Sequence, residues 1–312
     1  MEGRLADRRA DNYQRLQPKL DSTVRAVTKA RDTLVELKTF LSDMRRLVVL
    51  SQGDTIDDDE RRQHADTFNQ ILGNLNIKVR ASGGTSGNLI GNSIRDIFDA
   101  QEITYKTRPD SPTSQTITGV YSASDYTITD ADDTVYFVDD YGSVLLQFPF
   151  SNDDDGETIS DDDTVSYDSD TGAISITHDG DTDPFIEGTL ERKGLGVLHS
   201  YLYGNFTDPD LLDEALDDID AASATLRFNI TLLEGQLTKV TAHRDFNSKL
   251  VEENRSLATK VETEKTVELS KQSLEIQRQQ LLFVSAFQGT VSFDASGTLL
   301  SLGIQNLFDF EA

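Results

Sequence analysis

The chain has 312 residues, 37% of them hydrophobic and 27% charged, with 55 acids against 29 bases for a net charge of -26. That balance excludes nucleic acid and anionic membrane surfaces as partners, because both demand clustered lysine and arginine. Cysteine is absent, which excludes disulfides, thiolate metal sites and a cysteine nucleophile.

The N-terminus, Met1-Glu2-Gly3-Arg4, opens no apolar h-region, so no cleavable secretory signal is read. Leu16, Leu20, Val24, Val27, Ala30, Leu34, Leu37, Leu41, Met44 and Leu47 then step by three or four residues. This spacing predicts a long helix with a heptad-like apolar stripe. Pro18 is expected at a helix start or kink, and Gln52-Gly53 at the stop. Thr55 and Asp57-Asp58-Asp59-Glu60 suit the N-terminus of a second helix, where carboxylates meet the positive end of the dipole. That helix is expected to bury Ala65, Phe68, Ile71, Leu72 and Leu75, and a glycine-rich loop follows at Ser82–Gly87.

The middle of the chain alternates apolar and polar residues. Thr116–Tyr121, Thr134–Val138, Ser143–Phe148, Val165–Tyr167 and Ala173–Ile176 read as strands, joined by Asp/Gly turns. Residues 101–190 carry 21 acids and 2 bases, a net of -19, so most of the chain's charge belongs to this part.

Beyond it, Gly196–Tyr203 reads as a short amphipathic stretch. Asp208-Pro209 gives an N-cap and a first-turn proline. Leu226, Ile230, Leu233, Leu237 and Val240 resume the helical stepping, Phe246, Leu250, Leu257 and Val261 carry it on with slips, and it extends through Leu269, Leu274 and Leu281 to about Phe287. A helix so long needs a partner, and the N-terminal stripe supplies one. The expected class is α+β: a long antiparallel, coiled-coil-like helical rod from both chain ends with a central β-rich insert domain. The expected division is 1–99 helical rod, 100–190 acidic insert, 191–288 helical rod and 289–312 tail.

Ordered features of both ends resemble the flagellin family. They are Leu34–Gln52, Arg61-Arg62, Phe68, Ile71-Leu72 and Gly87–Ile90 near the front. Near the back they are Ile219–Ala222, Leu232–Asn247, Leu269–Leu281 and Leu299–Leu302. The resemblance covers roughly 1–95 and 195–305 and is strongest to alphaproteobacterial members. It implies a structural subunit of the bacterial flagellar filament that is extracellular, exported without a cleaved signal peptide and not an enzyme. It also implies that the subunit binds copies of itself in a homo-polymer, other flagellar subunits or an export chaperone. The hook–filament junction protein shares the same plan. A phage or cell-surface fibre or adhesin is the reading from a different class. The residues assigned to rod core and assembly are Leu34, Leu37, Leu41, Met44, Leu47, Leu226, Ile230, Leu233, Leu237 and Val240.

Chemistry-bearing patterns are weak. His64, His178, His199 and His243 show no paired metal spacing. Asp153–Asp155, Asp161–Asp163 and Asp168–Asp170 lack the glycine and glutamate of a calcium loop and read as solvated surface. Gly83–Asn88 has no P-loop lysine. No catalytic group, cofactor or metal site is expected, and neither nucleic acid nor membrane is an expected partner.

Overall fold

The structure, a computed structural model, describes residues 2–85, 87–92, 97–149 and 156–291. Helix α1 (Glu2–Ser51) is followed by α2 (Asp58–Arg80). Leu20, Val27, Leu34, Leu41 and Val48 recur every seventh residue along α1, and each is at most 1% exposed. Pro18 lies inside α1 rather than at its start. The Asp57 side chain caps α2 by accepting from the Glu60 amide at 2.8 Å, and Asp58, Asp59 and Glu60 occupy its first turn. Lys29 of α1 donates to the carbonyls of Ala81 and Gly83 (3.2 and 2.8 Å), closing the end of α2. Lys78 pairs with Glu36, and His64 with Ser51, so the two helices run antiparallel.

The β-rich part has a two-stranded hairpin and a seven-stranded antiparallel sheet. The hairpin pairs β1 (Ile103–Tyr105) with β2 (Gln115–Ile117). The sheet comprises β3 (Ser124–Asp130), β4 (Val135–Val138), β5 (Val144–Phe148), β6 (Glu157–Thr158), β7 (Thr164–Tyr167), β8 (Ala173–Thr177) and β9 (Ile186–Gly194), in the order β6-β5-β4-β3-β9-β8-β7. Its two edge strands, β6 and β7, are consecutive in sequence. Thr158 to Thr164 spans at most about 21 Å of extended chain, whereas the edges of a flat seven-stranded sheet lie about 29 Å apart. The sheet is therefore curled.

The expected strands at 134–138, 143–148, 165–167 and 173–176 correspond to β4, β5, β7 and β8. The strand expected over Thr116–Tyr121 is only β2. Two central strands, β3 and β9, escaped the period-2 reading. The first five residues of β3 are all buried, so they do not alternate. In β9 the buried Ile186 and Leu190 are four apart, and Gly188 replaces a side chain where a Cβ would lie 2.3 Å from the Thr129 carbonyl. β9 runs through to Gly194, past the compositional boundary at 190. The stretch expected at 196–203 is a 3-10 turn at Ser200–Phe206.

A last helix, α3 (Pro209–Val291), follows. Residues 292–312, with Leu299–Leu302 among them, lie outside the described residues, as do Asp153–Asp155. The class is α+β. The chain forms two compact units, one of residues 11–251 and one of residues 1–10 with 252–312.

Within the larger unit a single apolar core runs from α1 and α2 into the sheet and α3. Polar contacts tie these layers together. Asn76 of α2 exchanges two hydrogen bonds with the Ser124 backbone (2.8 and 2.9 Å). Arg80 pairs with Asp140 and lies 3.7 Å from Asp125. Arg192 of β9 reaches Glu214 and Asp218 of α3 at 3.3 and 2.6 Å. Gly73 allows the β4–β5 turn to press onto α2, since a Cβ there would sit 2.6 Å from the Asp140 carbonyl. In the smaller unit Ala6, Ala10 and Ala258 are buried, and Gly3 packs on Val261.

Candidate assembly surface

The ten residues assigned to core and assembly occupy the interior of the larger unit. Leu34, Leu37, Leu41, Met44, Leu226, Leu233 and Val240 are at most 1% exposed, and Leu47 is 8% exposed. Ile230 and Leu237 are partly buried against the same core. Side chains this enclosed present nothing to a second chain.

The pairing of α1 with α3 is antiparallel. Arg45 donates two hydrogen bonds to Asp220 (2.9 and 3.3 Å), and Gln52 donates to Asp213 (2.7 Å). At the far end of the unit, Asn247 donates to the Tyr13 carbonyl and to Gln17 (2.9 and 2.8 Å). Partner numbers rise on one helix as they fall on the other.

The surface that remains is a second stripe on α3. Phe228 (69% exposed), Leu232 and Phe246 are exposed large apolar residues. With Gly235 between them, where a Cβ would meet nothing within 4 Å, they fall on one face at helical spacing. This face lies opposite the one bearing Leu226, Leu233 and Val240. Val35, Val49 and Leu50 are exposed on α1. In the smaller unit Leu269, Leu274, Ile276 and Leu281–Val284 are all exposed.

These placements correct the expected course of the stripe. Phe246 and Leu257 lie about half exposed, and Leu269, Leu274 and Leu281 more than half. The buried face runs instead from Val240 to Asn247, which is 0% exposed. Apolar residues alone suggested a slip at that point. Counting in sevens from Val240 lands on Asn247 and keeps the phase.

No protein-family model and no curated protein matches the sequence. Solved structures do. The flagellar junction protein FlgL from Legionella pneumophila aligns with a TM-score of 0.45 at 10% identity, covering 81% of this chain and 97% of that one. The flagellar hook associated protein-3 from the same organism aligns with a TM-score of 0.40 at 9% identity, covering 88% and 99%. FlgL from Xanthomonas campestris aligns with a TM-score of 0.31 at 13% identity, covering 86% and 98%. At these values the likenesses assign neither fold nor function to this chain.

The four histidines are engaged in structure. His64 bonds to Ser51, His243 to Tyr105 of the hairpin, and His178 to Asp163 while stacking on Phe185. His199 accepts or donates at Tyr126 and faces the Asp140 carbonyl. Burial pushes the Tyr126, Tyr201 and Tyr203 hydroxyls well above their ordinary range, so they remain neutral hydrogen-bonding groups. Among the described residues no group of three or more histidine or acidic side chains is arranged to hold a metal. The acidic loops cap their own turns: Asp168 accepts from the Asp170 and Thr171 amides, and Asp163 from the Ser160 amide. The Asn88 side chain accepts from Ser82 and donates to the Val79 carbonyl, closing the loop after α2. No helix among the described residues is long and apolar enough to cross a membrane.

Proposed function

We propose that this chain is an extracellular structural subunit of the bacterial flagellum, a flagellin-like protein that is not an enzyme. In this reading it is exported without a cleaved signal peptide and assembles with copies of itself and with other flagellar subunits. The observation that carries the reading is the antiparallel pairing of its two distant ends, α1 and α3, over one shared apolar core. The ordered sequence resemblance at those same ends supports it. The exposed stripe at Phe228, Leu232 and Phe246 is the contact surface assigned to neighbouring subunits, and the acidic curled sheet is the outward-facing part. The ten enclosed residues act in assembly only by holding the helices that display this stripe.

Electron microscopy of purified chain, concentrated and seeded with short filament fragments, tests the reading. Filament growth supports it, and growth that is lost in Phe228→Glu while thermal melting is unchanged ties it to the stripe. A chain that stays monomeric under all seeding conditions counts against it.

A further inference from the structure

The seam between α1 and α3 repeats strictly in sevens. Leu212, Ile219, Leu226, Leu233 and Val240 are each at most 2% exposed on α3, and Leu20, Val27, Leu34, Leu41 and Val48 match them on α1. The contacts Arg45–Asp220, Gln52–Asp213 and Gln17–Asn247 set the alignment and place each α3 residue between two apolar turns of α1: Val240 between Val24 and Val27, Leu233 between Ala30 and Leu34, Leu226 between Leu37 and Leu41. An apolar ladder of this kind is degenerate. Sliding α3 by one heptad sets aliphatic residue against aliphatic residue again, with nearly the same burial. The flanking contacts Arg45–Asp220 and Gln52–Asp213 are exposed and hold register only weakly, while Arg192 with Asp218 and Tyr105 with His243 tie α3 to the β-rich part rather than to α1.

Asn247 breaks the degeneracy. It occupies the next position in the α3 series and is 0% exposed. Its amide nitrogen donates to the Tyr13 carbonyl and to Gln17 Oε1, while its own Oδ1 is buried with no partner. A slip of seven residues would carry Asn247 from the turn of Tyr13 and Gln17 to that of Leu20 and Val24, where a backbone carbonyl recurs but the Gln17 Oε1 acceptor is replaced by an aliphatic side chain, so the buried amide loses a hydrogen bond. We infer that Asn247 is a register-determining residue of the α1–α3 pairing: it disfavours the heptad-slipped alignments that the apolar seam alone tolerates, at some cost in stability. This inference does not depend on the flagellar reading.

The absence of cysteine makes a direct test available. Spin labels on Arg46→Cys and Glu234→Cys, both exposed, report the axial offset of the helices by double electron–electron resonance. With Asn247 present, chain refolded from denaturant gives one distance population. In Asn247→Leu a second population appears, displaced by about 10 Å, the rise of seven helical residues, and the melting temperature does not fall. Asn247→Ala, which cannot overcrowd the seam, shows the same second population and carries the test if the leucine variant does not fold. A single unchanged population in a folded variant, whatever its melting temperature, would make Asn247 an ordinary seam residue and overturn the inference.

Discussion

Arg80 shows how single residues join the sheet to the helices. Its side chain is 14% exposed and its guanidinium faces Asp140 and Asp125, whose side chains are 22% and 9% exposed. Truncation leaves two partly enclosed carboxylates uncompensated. Arg80→Ala is therefore expected to destabilise the chain by about 3 kcal/mol, read from denaturant unfolding. Other carboxylates differ in sign. A backbone hydrogen bond from Thr134 holds Asp130 below the usual carboxylate range, the Thr171 side chain does so for Asp168, and the Arg45 hydrogen bond for Asp220. Their contribution is present above the ordinary carboxylate range and is lost as pH falls through the lower folded values. Asp66 goes the other way, raised by desolvation and by the charge of Asp161. Its charge opposes folding above its folded pKa and not below the unfolded one. Asp66→Asn is expected to raise the melting temperature at pH 7, with the gain vanishing below about pH 4. Equal melting at both pH values would remove the Asp66–Asp161 repulsion from the account. None of these pairings was legible in the sequence, because Arg80 and Asp140 are sixty residues apart and only the docking of the β4–β5 turn on α2 brings them together.

At the scale of elements, α1 and α2 were legible because a heptad stripe and an aspartate cap are local signals. Their energetics follow from burial. Leu34 is 0% exposed, so Leu34→Ala is expected to cost about 3 kcal/mol from lost transfer and the cavity left behind. Phe228 occupies the same helix as Leu226 but is 69% exposed, so Phe228→Glu is expected to leave stability within about 0.5 kcal/mol. Paired calorimetry of the two variants separates core from surface; a similar loss in both would mean that the stripe is covered within the chain. The strands were only partly legible. The outer β4, β5, β7 and β8 alternate or carry aromatic and β-branched runs. The central β3, covered on both sides, and β9, interrupted by Gly188, follow neither pattern.

At the scale of the molecule, the helices and the sheet of the larger unit share one core rather than two. Deleting 101–190 would strip α2 of Ser124, Asp125 and Asp140, which Asn76 and Arg80 contact. The expected outcome is retained helical circular dichroism with a lower melting temperature. An unchanged melting temperature would show that the sheet adds nothing to the helices' stability.

By itself the sequence determined that both ends are helical, that the middle is an acidic β-rich region, and that heptads at one end call for a partner. Periodicity and charge are written in neighbouring residues, so they survive without the fold. Only the tertiary structure decided where the buried face of α3 runs beyond Val240, that Asn247 continues its seam, and that β9 closes against β3. A helix apolar on two faces satisfies the same pattern either way. The choice between those faces is made by what packs against them, and that partner arrives from two hundred residues away.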